Sequence, residues 1–434
     1  VLVGQVQPGS GSPYSAYGLG ELNSGTQVSQ TMMGGLGVAV VDPVSLVTAN
    51  PASYAAMQRT MFEMGIVVRS SQFTSGDRSA TGRRTDLLGL SLGVPFGKGR
   101  GGMGLGLNPV SNVAYTISTT APLATGEGDL RYEYTGNGGL NKAFLGFGWT
   151  ALQKRDSLNN GYRFSLGANL GYVFGRIEQT RKAIYPAGRG YYNSSATSSL
   201  VLRDPVADVG LHFQGDLRRR KTSKEKNLYY LVGVTADMPV ALGARRTDLV
   251  NSFGVGSSGV EFPIDTSFFA DGTKGSLALP VGFGVGFTVF DQHWAVSAEV
   301  RQRDWRQLRV RVEGYELPSE LAQNISYALG ASFRPAKEVG GTFWQRTIYR
   351  AGVRYNQDYL VVGGKQLTEV GVSGGMSFPL MGSSTRSRFN IGAEYSDRGS
   401  TENGLVRQRS ASVFVGITIT PDVREQWFKK RRID

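Results

Sequence analysis

The sequence predicts an all-β fold: a transmembrane antiparallel β-barrel of about 14 strands with an N-terminal plug in its lumen. Three observations carry that prediction. Apolar residues recur at alternate positions from about residue 60 almost to the end of the chain. The opposite face of those segments is built largely from Gly, Ser and Asn, and only 19% of all residues are charged, below the quarter usual for soluble domains. No run of about 18 apolar residues occurs, so no helix is a candidate to cross a membrane.

The alternation is clearest in Tyr162–Tyr172. One side reads Tyr162, Phe164, Leu166, Ala168, Leu170, Tyr172, and the other Arg163, Ser165, Gly167, Asn169, Gly171. "VGFGVGFTV" repeats the pattern, with Phe283, Val285 and Phe287 opposite Gly282, Gly284 and Gly286. Soluble sheets alternate too, but their polar face meets water through Lys, Glu and Thr, and each apolar face needs a covering layer. The sequence contains no amphipathic helices to form one. Lipid outside and a polar or closely packed lumen inside explain both faces, and closure satisfies every backbone group within hydrocarbon.

Such segments number about 14, the even count expected when both ends lie in the periplasm. The connectors "FGKGRG", "QKRDSLNN", "RRRKTSKEKN", "DQH" and "GSSTRSR" are short, and Ile177–Asp204 and Pro239–Ser276 are expected to be long external loops. Bacterial barrels put short turns in the periplasm, so a bacterial outer-membrane location with N- and C-termini on the periplasmic side follows. The expected organisation is a plug over residues 1–58, a barrel over 59–420 and a basic tail over 421–434. The first residues are expected to follow a cleaved export signal.

The net charge of +13 belongs to the periplasmic rim in this arrangement. Lys98, Arg100, Lys154, Arg155, Arg218, Arg219, Arg220, Arg386 and Arg388 fall there with the tail residues Trp427, Phe428, Lys429 and Lys430. One reading is an interfacial belt against outer-membrane lipids with anionic headgroups. The other is a docking surface for an acidic envelope protein. A nucleic-acid partner is not supported, because no basic face with interleaved aromatics or recognisable module is present.

Two further features concern the lumen. "VDPVSLVTANPASYAAM" (Val41–Met57) is too apolar for a linker and too broken by Asx–Pro turns for one long helix. About 14 strands leave a lumen too wide for the wall's own side chains to fill, so this segment is expected to pack inside against the glycine-rich wall. The third strand, "GMGLGLNPVSNVAYTIS", carries Asn108-Pro109 in its middle. Pro cannot donate to a sheet ladder, so the wall is expected either to break there or to carry a bulge near one rim.

These features together resemble the FadL family of outer-membrane channels for hydrophobic compounds. The carrying residues are "MMGGLGVAVVDPVSLVTANPASYAAM" ahead of the strand pattern, with Asn50-Pro51-Ala52 matching the family's plug motif. "SPYSAYGLGEL" and "WFKKRRID" resemble a Bacteroidota group of FadL-like proteins. The resemblance implies a plug that occludes the lumen and a kinked third strand that opens a lateral exit.

Arg163, Asp208, Glu299, Arg301, Arg350, Arg354 and Glu394 fall on the predicted inner face. Buried charges should be paired, so Glu299 with Arg301 and Arg354 with Glu394 are expected to join strands to one another or to the plug. Alternatively, one Arg meets the carboxylate of a passing ligand. The absence of Cys and the presence of only His212 and His293 exclude thiolate or multi-imidazole metal sites, and no cofactor is expected. "GLSLG" and "GVSGG" match a nucleophile pattern that needs a strand–turn–helix elbow; both lie in alternating segments, and no enzyme is expected. Two functions follow. The first is passive uptake of a small hydrophobic ligand through a plugged barrel with a lateral opening. The alternative is a non-transporting structural subunit of a multi-protein outer-membrane machine for barrel assembly or protein secretion.

Overall fold

The computed structural model of the chain describes residues 5–6, 11–42, 45–123, 128–158, 160–186, 190–222, 225–256, 258–315, 320–336, 341–380 and 386–421. Fourteen strands form the wall. They are β1 (Met61–Ser75), β2 (Arg78–Phe96), β3 (Gly101–Pro122), β4 (Asp129–Arg155), β5 (Gly161–Ile184), β6 (Asn193–Arg218) and β7 (Leu228–Asp237). The second half comprises β8 (Gly282–Phe290), β9 (Trp294–Asp304), β10 (Gln323–Phe333), β11 (Ile348–Val362), β12 (Lys365–Pro379), β13 (Arg388–Arg398) and β14 (Arg407–Ile419). Each pairs antiparallel with its neighbours, and β14 returns to β1 from Ile419↔Phe62 to Arg407↔Thr74, which closes the ring.

The period-two pattern sets which side faces out. On β5 the exposed residues include Leu166, Leu170, Tyr172 and Phe174, whereas Ser165 and Asn169 are buried. On β8, Phe283, Val285 and Phe287 are exposed and Thr288 is buried. The outward face becomes polar past Phe174, where Arg176 pairs with Glu178. This marks one edge of the apolar band that a membrane barrel presents to lipid. The two G-x-S-x-G matches lie inside β2 and β12, in extended strand rather than at an elbow.

The wall is not of even height. β4 and β6 run 27 and 26 residues, whereas β8 has 9, close to the ~9–11 that suffice to cross a bilayer. The two stretches expected as long loops are mostly strand. Ile177–Asp204 is the continuation of β5 and β6 past the apolar band, and Pro239–Ser276 is a β-hairpin of Val240–Val255 and Glu261–Leu279. The first hairpin strand pairs with the upper part of β6, from Gly243↔Arg203 to Phe253↔Asn193, taking over the ladder where β7 has ended. Connector length does not separate the two ends as simply as expected. Gly76-Asp77 and Gly363-Gly364 are tight turns at the hairpin end, while the opposite rim holds a long connector between β10 and β11 with the short helix Phe343–Arg346. Strand height separates the ends better.

The interior is packed at both levels. Toward the hairpin end, Tyr14 and Leu19 join Leu140, Ile177, Leu202, Leu242, Leu277, Trp305 and Tyr359 in one buried apolar cluster. Toward the turn rim the wall is polar and glycine-rich, and the N-terminal residues Met32, Leu36, Asn50 and Tyr54 are fully buried against it.

Candidate functional site

Two features converge on the N-terminal segment: a polar seat for residues 25–57 and a break in the wall beside Asn108-Pro109. The seat begins with Asn50. Its Oδ1 accepts from Ala52 N (3.0 Å), capping the turn Pro51–Ala56, and its Nδ2 donates to Val38 O (2.6 Å) and toward the wall carbonyls of Leu211 (3.3 Å) and Val234 (3.4 Å). The Asn-Pro-Ala triplet lies flat on glycine. A Cβ at Gly148 would sit 2.6 Å from Pro51 O, and one at Gly210 would collide with Asn50 Oδ1. Gly in the wall is therefore close approach of two backbones.

Charged wall residues complete the seat. Glu299 accepts from Gly37 N (2.7 Å) and Val38 N (2.8 Å) and pairs with Arg301 (2.7 Å), which in turn donates to Gly35 O (3.0 Å). Arg350 pairs with Asp42 (2.6 Å) and donates to Ser377 Oγ. Arg163 donates to Ala55 O and, through Nε, to Thr150 Oγ1 (3.0 Å). Arg354 bridges Glu394 (2.6 Å) and Glu369 (2.7 Å) within the wall, and Asp208 takes Lys142 (2.8 Å). Glu63, not singled out from sequence, and His212, considered there only as a metal ligand or catalytic base, do comparable work. Glu63 accepts from Ser45 Oγ (2.9 Å) and Leu46 N (2.9 Å). His212 meets Val38 O at 2.9 Å through Nε2, so that nitrogen carries the proton. The signal for Glu63 was present: it is the one acid of β1, on the inward parity of the strand's apolar first half, Met61–Val68.

The break lies between β2 and β3. Their pairing runs from Phe96↔Gly101 only to Leu90↔Leu107 and stops at Asn108. β3 continues to pair with β4 but carries a bulge between Pro109 and Ser111. Two pairs beyond it, Gly138, opposite Val113, has φ +110°, a conformation that only glycine adopts without strain. β2 carries its own irregularity at the same level, where Ile66 pairs with Leu87 and Gly65 with Gly89. The freed edge of β3 is taken by the N-terminal segment. Glu21-Leu22 pair with Asn112-Ser111, Gln5-Val6 pair with Ser118-Ile117, and Asn23 N donates to Val110 O (2.9 Å). Asn108 itself is buried, its Nδ2 turned toward Gly25 O (3.3 Å).

A charge cluster spans the same seam. Glu21 pairs with Arg84 (2.8 Å) and Arg398 (3.1 Å), Arg84 also with Asp86 (2.6 Å), and Asn112 Nδ2 donates to Asp86 Oδ1 (2.7 Å). Sequence reasoning missed this cluster because its members lie far apart in the chain.

On the turn rim, Arg218 and Arg219 are exposed, with Arg219 3.8 Å from Asp216. Arg220 N donates to Asn160 Oδ1 (2.8 Å), tying two turns together. Arg388, expected at the rim, is buried and donates to Arg346 O (2.9 Å) and Ser377 O (3.1 Å). Trp427, Phe428, Lys429 and Lys430 lie outside the described residues. Exposed aromatics at this rim include Phe343 and Trp344, with Phe343 stacked on Phe378 at 5.6 Å. Among the described residues no group of three or more His, Cys, Asp or Glu is placed to hold a metal ion.

The barrel is similar to solved channels of FadL type. The CymD monoaromatic hydrocarbon channel matches with a TM-score of 0.54 at 15% identity, covering 94% of this chain and 100% of that one. A Pseudomonas aeruginosa FadL homologue gives 0.56 at 14%, covering 92% and 98%. The Ralstonia pickettii toluene transporter TbuX gives 0.55 at 13%, with the same coverage. No curated protein matches in sequence. The sequence profile of the BamG family, by contrast, matches residues 1–434. A match over the whole length settles the family: the chain belongs to the BamG family.

Proposed function

We propose that the chain is a closed outer-membrane barrel that serves as a structural subunit of a multi-protein envelope assembly, with residues 1–58 acting as a fixed plug. The observation that carries this reading is the hairpin. Phe268 pairs across to Val250, which lies level with Ala196 and Arg181, well past Phe174 and the apolar band. At that height Phe262, Ile264, Phe268 and Phe269 are exposed, Phe269 by 62%. Among the described residues the outer edge of Glu261–Leu279 is paired only at its base, where Ser276–Ala278 meet Arg309–Arg311. An exposed apolar edge strand outside lipid is an aggregation hazard unless something covers it. An extended segment of another envelope protein, added as a further strand, is the occupant that chemistry fits. The resemblance of both chain ends to a Bacteroidota group of FadL-like proteins, and the family assignment, support the same reading. Both termini would then lie on the periplasmic side, with the hairpin at the cell surface.

A second reading keeps the barrel as a channel for a small hydrophobic ligand. It is favoured by one observation, the unpaired stretch of β2 and β3 beside Asn108-Pro109, together with the fold it shares with hydrocarbon channels. It requires the N-terminal strands to leave the β3 edge. Extraction in mild detergent followed by mass spectrometry of retained proteins and small molecules separates the two. A fixed-ratio companion protein, lost on Phe262→Ser with Phe268→Ser, is expected. A companion-free chain that carries a hydrophobic dye into proteoliposomes would overturn the subunit reading.

A further inference from the structure

The lipid-facing wall carries a groove. Across β4 to β7 the directly paired residues Trp149, Leu166, Leu211 and Val234 form one bulky outward row. Two positions further toward the hairpin end, the row opposite Phe147 shrinks to Ala168, Val209 and Ala236. The shortened row leaves an apolar depression of about 570 Å3. The depression is open along its outer side, so an occupant would lie in it rather than be enclosed by it.

Charge gathers where the groove meets the turn rim. Phe96 stacks on Trp149 at 6.0 Å, and the Arg100 guanidinium lies 6.0 Å from the Trp149 ring. Lys98 sits in the same turn, and Lys154 is exposed near the end of β4, opposite Tyr162. Arg100, Lys98 and Lys154 form no ion pair among the described residues. Three unneutralised cations at the end of an apolar trough call for an occupant with an anionic head and a hydrocarbon tail. A protein segment fits less well, because β4 to β7 are fully paired at this level and offer no backbone edge.

We propose that this groove binds one anionic glycerophospholipid of the turn-side leaflet, an acyl chain lying over Ala168, Val209 and Ala236 and the phosphate beside Lys98, Arg100 and Lys154. The site does not depend on whether the barrel is a subunit or a channel.

The test uses the full chain in nanodiscs of phosphatidylcholine with a minor share of phosphatidylglycerol, re-extracted gently and weighed by native mass spectrometry. One phosphatidylglycerol per chain is expected to remain. Lys98→Ala and Arg100→Ala, both exchanges in an exposed turn, are each expected to lower its enrichment about fivefold, as for a cation near a charged headgroup. Ala168→Phe with Ala236→Phe should fill the groove and abolish retention, while heat-shifted gel mobility reports that the barrel is closed. Equal retention in the filled variant would overturn the site. So would retention without preference for the anionic lipid, or a photo-crosslinker at position 168 that captures polypeptide.

Discussion

Two pieces of this chain lie outside the regular wall, and they treat their backbones in opposite ways. The N-terminal segment is held from every side: Glu299 takes the N–H groups of Gly37 and Val38, Glu63 takes Leu46, and β3 pairs with Glu21-Leu22. The hairpin strand Glu261–Leu279 instead leaves much of one edge open and its aromatics exposed. Backbone groups away from water must find partners. The segment inside has found them within the chain, and the strand outside is completed by water or by another protein. The difference sets a backbone satisfied within the chain against one whose outer edge is largely open.

The comparison breaks first if the inner segment can be loosened cheaply. Glu299→Leu strands two backbone donors and leaves Arg301, 24% exposed at its side chain, without its carboxylate. Removing one partner of a buried pair costs about 3–5 kcal/mol. Limited proteolysis in detergent should then cut within residues 35–57 while the barrel stays closed, and unchanged resistance would contradict a segment seated by this carboxylate. Gly167→Val is next. A Cβ there would meet Ala52 N at 2.6 Å, backbone that cannot swing aside, and overpacking of this kind costs up to about 3 kcal/mol. The same cleavage assay should show partial release.

How much of this was legible beforehand depends on the range of the signal. Local alternation is enough to mark lipid-facing rows such as Phe283, Val285 and Phe287, and it yields the strand count, because in a barrel each strand repeats the same rule. Inward parity likewise puts Arg163, Glu299, Arg350 and Arg354 in the lumen. The hairpin was not readable as strand. "RRTDLVNSFGV" and "EFPIDTSFFADG" alternate poorly, the first half-buried along most of its length and the second exposed on both sides, and Pro263 sits in a register shift rather than ending the ladder. Pairing between Glu21-Leu22 and β3 was equally hidden, since a two-residue strand has no periodicity. Pro109 signalled that pairing would be disturbed, but not which neighbour would take the freed edge.

The seam gives a sharper and smaller test. Arg84→Ala takes from Glu21 its nearest cation and from Asp86 its 2.6 Å partner, but leaves Arg398 3.1 Å from Glu21, so the loss is about 1.5–3 kcal/mol. Hydrogen exchange at Glu21 and Leu22 should rise while β1 and β14 stay protected. If the barrel is a channel, this variant should also pass a hydrophobic dye faster. If it is a subunit, faster exchange should come with no change in dye entry.

The smallest expected effect on stability lies at the hairpin, and that smallness is the point. Phe268→Ser with Phe269→Ser removes two rings that are 54% and 62% exposed and leaves each backbone pair in place. Surface exchanges of this kind stay within about 0.5 kcal/mol. Unfolding should therefore match the parent chain while capture of companion proteins falls. A large loss of stability would mean that the rings pack within the chain, and the contrast between its inner and outer appendages would disappear. Unchanged stability with unchanged companions would move the docking surface elsewhere, with the exposed cations of the opposite rim, Arg218 and Arg219, as the next place to look.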